Sequence, residues 1–467
     1  MTVLSQVAIG CLFMKFFGTD GIRGPANEFP ITPEIALRVG RAMARLLPSN
    51  SGERKKFLLG RDTRVSGPML ESSLAAGLMS EGAEVILVGV LPTPAVAFLT
   101  QKLGCDGGVM LTASHNPFQD NGIKIFAGDG YKLTDEVEAK VEDYLRKEAK
   151  LETEKVAGSS VGSVSVLEEG LDQYLDSLCL ALPDLSLEGV RIVFDGANGA
   201  GSEAGVKLFE ALGAEVTSLG VAPDGININE NIGAMHPEAA AAKVLEVGAS
   251  IGVCLDGDGD RLVLIDSDGE VVDGDRLLCL AALALHEQGL LKGDTLVATV
   301  MSNLGLDQTL AKRGIAVERA AVGDRHVLEK MREKEYNLGG ENSGHVIFSD
   351  FGTTGDGLAA TLQILATIQK TGKSLQELAS VMPIFPQRLV NIRVKEKPPI
   401  SEVKGLPEMI AAAEAAMGDE GRVLIRYSGT EKKMRVMVEA QQEEVMEEWC
   451  SRLVEVVREE LGEKELV

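Results

Sequence analysis

The sequence predicts an α/β protein: three α/β units of similar size, followed by a C-terminal α+β domain. Three observations carry this expectation. Short β-rich runs alternate with amphipathic segments, the signature of βαβ units and a largely parallel sheet. That alternation recurs three times along the chain. From about Phe385 the order changes to strand, helix, strand, strand, helix. The 467 residues, at roughly 100–200 per domain, suit two to four domains.

In the first unit, strands are expected over Lys56–Gly60, Glu84–Val90 and Gly108–Thr112, with helices over Pro68–Glu81 and before Gly104. Lys147–Ser165 is polar and aperiodic, and reads as a linker or edge hairpin. The second unit pairs helices Leu171–Leu182, Gly205–Leu212 and Pro237–Val247 with strands Val190–Asp195, Glu215–Leu219 and Ser250–Asp256. The third has helices Arg276–Gln288, Leu304–Arg313 and Arg325–Glu333 around strands Thr295–Val300 and Ala316–Ala320, and closes with Asp356–Lys370. In the last domain Arg422–Arg426 and Met434–Glu439 are the clearest strands. The expected domains are therefore 14–165, 166–268, 269–384 and 385–467.

Lys and Arg number 46 against 70 Asp and Glu, a net charge of −24, which disfavours nucleic acid or an anionic membrane as partner. Six cysteines, Cys11, Cys105, Cys179, Cys254, Cys279 and Cys450, form no C-x-x-C pair, as expected of a protein in a reducing cytoplasm. The apolar run Leu277–Leu285 is far shorter than the roughly 18 residues of a membrane span. Val7–Met14 is apolar but follows no basic residue, so no signal peptide is expected.

The sharpest local signal is Asp256-Gly-Asp258-Gly-Asp260-Arg261, three carboxylates alternating with glycines directly after an apolar strand. At an effective dielectric of 20, like charges about 4 Å apart repel by roughly 4 kcal/mol per pair, so a cation is the natural counterweight. Oxygen ligands at this density favour Mg²⁺ over a transition metal. An EF-hand does not fit, because Arg261 and Ser267 stand where it needs Gly and Glu. A plain Asp/Gly turn is the bland alternative.

Thr112-Ala-Ser114-His115-Asn-Pro117 lies where a strand ends, the usual place for active-site loops of open α/β sheets. Ser114 lacks the flanking glycines of a nucleophile elbow, which disfavours a hydrolase and leaves a turn or helix cap as its ordinary role. Lys124 nearby is either a solvated charge or a proton-transfer group. Arg426-Tyr-Ser428-Gly429-Thr430-Glu431, with Arg435, offers either an anion cradle or an ordinary hairpin. Gly340-Glu341-Asn-Ser343-Gly-His345 gathers a carboxylate, a hydroxyl and an imidazole, suited to sugar hydroxyls and proton movement, or else is a glycine-rich loop. Asp356 reads as the N-cap of the helix that follows.

These motifs, in this order and together with Phe17-Gly-Thr-Asp20-Gly-Ile-Arg23-Gly24, resemble the α-D-phosphohexomutase superfamily over nearly the whole chain. Asp224-Gly-Ile-Asn227-Ile-Asn229, Gly233-Ala-Met-His236-Pro-Glu238 and Val322-Gly-Asp324-Arg325 resemble its branch that interconverts glucosamine 6-phosphate and glucosamine 1-phosphate for UDP-N-acetylglucosamine synthesis. The resemblance implies four domains with mixed sheets, heart-shaped, around a central active-site cleft. It implies that Ser114 carries a phosphoryl group, and that one Mg²⁺ is held by Ser114, Asp256, Asp258 and Asp260. A hexosamine 1,6-bisphosphate serves as intermediate and primer.

By the same resemblance Arg23, His115 and Lys124 surround the transferred group and His345 is a general acid/base. Glu341 and Ser343 read the sugar, while Arg426, Ser428, Gly429, Thr430 and Arg435 hold the phosphate that is not being transferred. A homodimer acting on a small sugar phosphate is implied. Tyr427 and Lys432 replace prolines frequent in relatives, and Asn342 a frequent Gln, which bears on sugar preference. Glucose or mannose phosphate mutases, a bifunctional mutase, and a catalytically silent sensor are the competing readings. Met14-Lys-Phe-Phe-Gly18 resembles a natural start, so residues 1–13 read as an upstream extension.

Overall fold

The computed structural model describes residues 16–18, 20–49, 54–147, 156–428 and 432–463. The expected start at Met14, and Cys11, Gly429 and Thr430, lie outside the described residues. The chain divides into two compact units, Met1–Val300 with Glu318–Ala379, and Met301–Val317 with Ser380–Val467.

The first unit opens with β1 (Ile22–Pro25), α1 (Pro33–Leu46), β2 (Lys56–Arg61), α2 (Gly67–Ser80), β3 (Glu84–Val90), α3 (Thr93–Lys102), β4 (Gly107–Leu111), β5 (Asp120–Ala127), α4 (Asp135–Lys147) and β6 (Val164–Val166). The sheet order is β1-β5-β4-β2-β3-β6. β4, β2, β3 and β6 run parallel, while β5 is antiparallel to both β1 and β4. This sheet is therefore largely parallel but mixed, as the resemblance implies, with β5 alone running against its neighbours. The reversal follows from Pro117, which ends the Ser114 loop and turns the chain straight back into β5. The stretch read as a linker or hairpin instead supplies the single edge strand β6.

Next come α5 (Gly170–Ala181), β7 (Arg191–Asp195), α6 (Ser202–Ala211), β8 (Glu215–Leu219), α7 (Glu238–Val247), β9 (Ile251–Leu255), β10 (Leu262–Ile265) and β11 (Val271–Val272). They form a five-stranded sheet in the order β11-β10-β9-β7-β8. Then follow α8 (Gly274–Glu287), β12 (Thr295–Thr299), α9 (Leu304–Ala311), β13 (Ala316–Ala320), α10 (Asp324–Lys334), β14 (Leu338–Gly340), β15 (Val346–Phe348), α11 (Gly357–Thr371) and α12 (Leu375–Ala379). Their strands form a sheet in the order β13-β12-β14-β15. Every residue of β4 and of β9 is buried, as strands covered on both faces require.

Helix starts follow their caps. Thr32 accepts from Ile35 N at the head of α1, Asp273 from Arg276 N at α8, and Asp356 from Ala359 N at α11, the last as the sequence led us to expect.

The second unit carries β16 (Gln387–Arg393), α13 (Leu406–Met417), β17 (Gly421–Tyr427), β18 (Lys433–Ala440) and α14 (Glu443–Leu461), with an antiparallel sheet in the order β16-β18-β17. α14 buries Met446, Trp449, Cys450, Leu453, Val454, Val457 and Leu461, the 3–4 spacing of an amphipathic helix. By the same division α9 and Asn303 belong to this second unit, Asn303 Oδ1 accepting from Gly305 N and Phe385 N at 3.0 Å each.

Among the described residues Cys105, Cys179, Cys254, Cys279 and Cys450 form no disulfide. Among the described residues no helix is long and apolar enough to cross a membrane.

Candidate functional site

β4 delivers Ser114 at its carboxyl end. Ser114 is buried and sits at φ +53, a left-handed conformation uncommon for residues other than glycine. Its Oγ donates to Asp256 Oδ2 at 2.6 Å and lies 3.4 Å from His115 Nδ1. Its N–H donates to Thr112 Oγ1 at 2.9 Å, and that hydroxyl donates to Asp62 Oδ2 at 2.7 Å. Burial, then the cations Arg261 and Arg23, push His115 down to about 4, so its imidazole is neutral near pH 7.

Sequence reasoning missed the residues that hold this loop. Arg64, fully buried, donates to Asp62 at 2.8 Å and to the carbonyls of Ser114 (2.9 Å), Asn116 (2.8 Å), Asp120 (3.0 Å) and Pro117. Asn229 Nδ2 reaches the Ser114 and Asn116 carbonyls at 2.8 and 3.1 Å. The available signal was Asp62-Thr-Arg64 directly after β2, the parallel neighbour of β4, whose loop leaves the same sheet edge.

The acidic triplet fills the turn of the antiparallel β9–β10 hairpin, closed by the pair Leu255–Leu262. Carboxylate oxygens of Asp256, Asp258 and Asp260, all buried, lie within 4.8 Å of one another. Asp258 Oδ2 accepts from Thr93 Oγ1 at 2.6 Å and Lys124 Nζ at 2.7 Å, and Asp260 Oδ2 from Lys124 at 2.9 Å. The Oδ1 atoms of Asp258 and Asp260 are buried and have no hydrogen-bond partner among the described residues. Burial, then Asp258 and Asp260, push the Asp256 carboxyl up to about 8. Burial would also raise Asp260, but Lys124 and His345 hold it well below the usual range. Lys124 is itself raised despite burial by Asp20, Asp258 and Asp260.

A Cβ at Gly257 would stand 2.7 Å from both the Ser114 carbonyl and Asn229 Nδ2. The backbone of the acidic loop therefore lies directly against the serine loop.

A second shell of charge surrounds these groups. Asp20 pairs with Lys124 at 3.2 Å, and also with Arg23 and Lys132, while Lys132 bridges on to Asp324. Arg23 Nη1 donates to the Ala113 carbonyl at 3.5 Å. His345 places Nδ1 3.6 Å from Asp260 Oδ1 and Nε2 3.6 Å from Asp324 Oδ2, and Nε2 accepts from Gly355 N at 3.1 Å. Burial lowers its pKa, but Asp260 and Asp324 carry it net above the ordinary value. The partner roles of Asp20, Lys132 and Asp324 were not read from the sequence, because the Lys132 pairings with Asp20 and Asp324 span more than a hundred residues.

Glu341 and Ser343 occupy the turn between β14 and β15. Glu341 Oε1 accepts from Gly323 N at 3.0 Å, and the buried Ser343 hydroxyl has no hydrogen-bond partner among the described residues. Gly344, at φ +90, is pinned to β10: its carbonyl accepts from Leu262 N at 3.0 Å, and a Cβ there would stand 2.1 Å from the Leu262 carbonyl. The sugar-loop candidates are thus anchored at the base of the acidic hairpin, without a direct bond to Ser114 among the described residues.

In the second unit Arg426 and Arg435 face each other across β17 and β18, an arrangement that costs energy without an anion. Burial and then Arg435 lower the Arg426 pKa, and the buried Arg435 Nε has no hydrogen-bond partner among the described residues. Ser428 is buried directly after β17, its N–H donating to the Lys433 carbonyl at 2.8 Å.

Comparison with known proteins matches four family descriptions along the chain. Phosphoglucomutase/phosphomannomutase alpha/beta/alpha domains I, II and III cover residues 14–152, 172–269 and 273–385, and the C-terminal domain covers 389–456. The phosphoglucosamine mutase of Exiguobacterium sibiricum is 48% identical over 95% of this chain and 98% of its own length. That of Bacillus subtilis is 47% identical over 96% and 99%. A phosphoglucomutase/phosphomannomutase family protein from Burkholderia thailandensis superposes with a TM-score of 0.78 at 25% identity, over 95% of this chain and 99% of its own. An Aspergillus fumigatus N-acetylphosphoglucosamine mutase shares the fold at 17% identity and a TM-score of 0.64, over 98% and 99%. The chain belongs to the phosphoglucomutase/phosphomannomutase family.

Proposed function

We propose that this protein is an isomerase that interconverts glucosamine 6-phosphate and glucosamine 1-phosphate on the route to UDP-N-acetylglucosamine. Ser114 is its phosphoryl carrier. The observation that carries the mechanism is the buried Ser114 hydroxyl lying 2.6 Å from Asp256, at the head of the acidic triplet. Near-complete coverage of relatives named phosphoglucosamine mutase supports the substrate.

The residues fit a divalent cation. The donor set is all oxygen, and among the described residues the buried Oδ1 atoms of Asp258 and Asp260 have no hydrogen-bond partner. Asp256, Asp258, Asp260 and the phosphate on Ser114 would hold one Mg²⁺ per chain. When bound, the cation neutralises charge on the phosphoryl group in transfer.

The remaining chemistry belongs to side chains. In the forward step a sugar hydroxyl oxygen bonds to the phosphorus of phosphoserine, the Ser114 Oγ–P bond breaks, and the hydroxyl proton passes to a base. Lys124 and Arg23 supply positive charge beside Ser114, and His115, neutral, completes its surroundings. His345 is assigned as general acid/base from its place between Asp260 and Asp324. The resulting 1,6-bisphosphate turns over and returns its other phosphate to Ser114, so a trace of hexosamine 1,6-bisphosphate primes the enzyme. Glu341 and Ser343 read the sugar. Arg426, Ser428, Gly429, Thr430 and Arg435 form the phosphate loop, a role supported by the facing guanidiniums of Arg426 and Arg435. The same reading includes a homodimer and a cytoplasmic location, the latter supported by six cysteines scattered singly along the chain with no C-x-x-C pair.

The test is kcat/KM for glucosamine 1-phosphate against glucose 1-phosphate and mannose 1-phosphate, with primed enzyme and Mg²⁺. We expect glucosamine phosphate to lead by more than about tenfold, or roughly 1.4 kcal/mol of transition-state discrimination. Equal rates, or a lead for glucose or mannose phosphate, would leave the mechanism standing and overturn the substrate.

A further inference from the structure

We propose that Asn229 is a positioning residue for phosphoryl transfer: with Arg64 it clamps the peptide planes around Ser114 so that the hydroxyl can aim only at the acidic triplet. The proposal rests on the reading of Ser114 as phosphoryl carrier.

Two carbonyls, those of Ser114 and Asn116, each receive two donors. Arg64 Nη2 reaches them at 2.9 and 2.8 Å from the serine's own sheet. Asn229 Nδ2 reaches the same atoms at 2.8 and 3.1 Å from the loop between β8 and α7. The amide side of Ser114 is held separately, through Thr112 Oγ1 and Asp62. Both flanking peptides are therefore fixed, and the side-chain rotation about χ1 is the freedom left to Ser114. Its φ of +53 is a conformation that persists only where the surroundings impose it.

The loop that carries Asn229 is built to present that amide. Asp224 Oδ1 accepts from Ile226 N at 2.9 Å, Asn227 Oδ1 from Asp224 N at 3.1 Å, and Asn227 Nδ2 donates to the Ala222 carbonyl at 3.0 Å. Asn229 itself sits at φ +59 with its N–H on the Ala197 carbonyl at 2.9 Å, and Ile228 beside it is buried. The Asp224–Asn229 motif thus has a physical task that the catalytic roles do not give it. Gly257 completes the arrangement, since a side chain there would collide with both the Ser114 carbonyl and Asn229.

Arg64 is a poor first target, because losing it would strand Asp62 inside the core. Asn229→Gly suits the positive φ and removes the amide, and Asn229→Asp keeps its shape while removing both donors. We expect kcat with glucosamine 1-phosphate to fall by about tenfold or more in both variants, with KM changed by less than about threefold, as misplacement of a reacting group predicts. Amide hydrogen exchange over residues 112–121 should quicken in the same variants, a readout independent of turnover.

A kcat within about twofold of wild type in both variants overturns the positioning role, because misaligned reacting groups lose far more than that. Unchanged exchange overturns the clamp itself. Wild-type enzyme that turns over without phosphate on Ser114 defeats the functional reading instead, and the exchange comparison then still decides the clamp.

Discussion

Ser114 Oγ donates to Asp256 Oδ2 at 2.6 Å across a sequence separation of 142 residues. The acceptor is a carboxyl pushed up to about 8 by burial and by Asp258 and Asp260. Ser114→Ala removes the group that takes the phosphate while leaving the loop carbonyls to Arg64 and Asn229. We expect phosphoryl transfer to vanish and stability to change by only about 1 kcal/mol, the net worth of a typical hydrogen bond. Turnover assays paired with denaturant unfolding check this, and wild-type turnover in the variant would sink the phosphoserine assignment.

Asp258 carries one hydrogen-bonded and one orphaned oxygen. Asp258→Asn should weaken apparent Mg²⁺ affinity by at least about tenfold and lower turnover with it, since even groups that merely support metal ligands carry that much. Superimposable metal titration curves for variant and wild type would remove the acidic hairpin from metal binding.

Lys124 neutralises two buried carboxylates, Asp258 and Asp260, at 2.7 and 2.9 Å, and the half-buried Asp20 at 3.2 Å. Lys124→Met keeps the aliphatic stem and strands those charges. The expected loss of unfolding free energy is about 3–5 kcal/mol, partly restored by added Mg²⁺. Urea unfolding with and without the ion measures both effects, and an unchanged midpoint would mean that the carboxylates find other partners.

Asp356 gives a pH signature away from the chemistry. It caps α11 and accepts from the Tyr174 hydroxyl at 2.9 and 2.8 Å, and burial raises its pKa to about 6. The folded state therefore holds this proton more tightly than the unfolded chain, whose Asp titrates near ~3.9. Its favourable contribution is complete below about pH 4 and is lost as pH rises through about 6, with a slope of at most about 1.4 kcal/mol per pH unit. Asp356→Asn keeps the cap and the tyrosine contact without the charge. Its stability relative to wild type should climb between about pH 4 and 6 and level off above. A difference flat across that range would show that Asp356 stays charged when folded.

The site was legible where its chemistry is contiguous. Three aspartates within five residues announce a cation, and Ser114 followed by Pro117 announces a turn at a strand end. Arg64, marked only by its place after β2, and Asn229, visible only as a member of the Asp224–Asn229 motif, did not disclose their clamping role, because their partners are backbone carbonyls 50 and 115 residues away, which carry no residue-type signal. The left-handed Ser114 was hidden for a related reason: no glycine marks it. Of the fold, the helices and strands with long periodic runs were readable. β14 and β15, three residues each, are too short for any periodicity. The antiparallel β5 depends on a turn, not on its own composition.

Mapping phosphate on the protein tests the central claim most directly. Enzyme incubated with glucosamine 1,6-bisphosphate and Mg²⁺ should carry one phosphoryl group, located on Ser114 by peptide mass spectrometry and absent from Ser114→Ala. Adding excess glucosamine 6-phosphate should discharge it into bisphosphate within a turnover time. Phosphate found on another residue, or on Ser114 but inert to the sugar phosphate, would contradict the account.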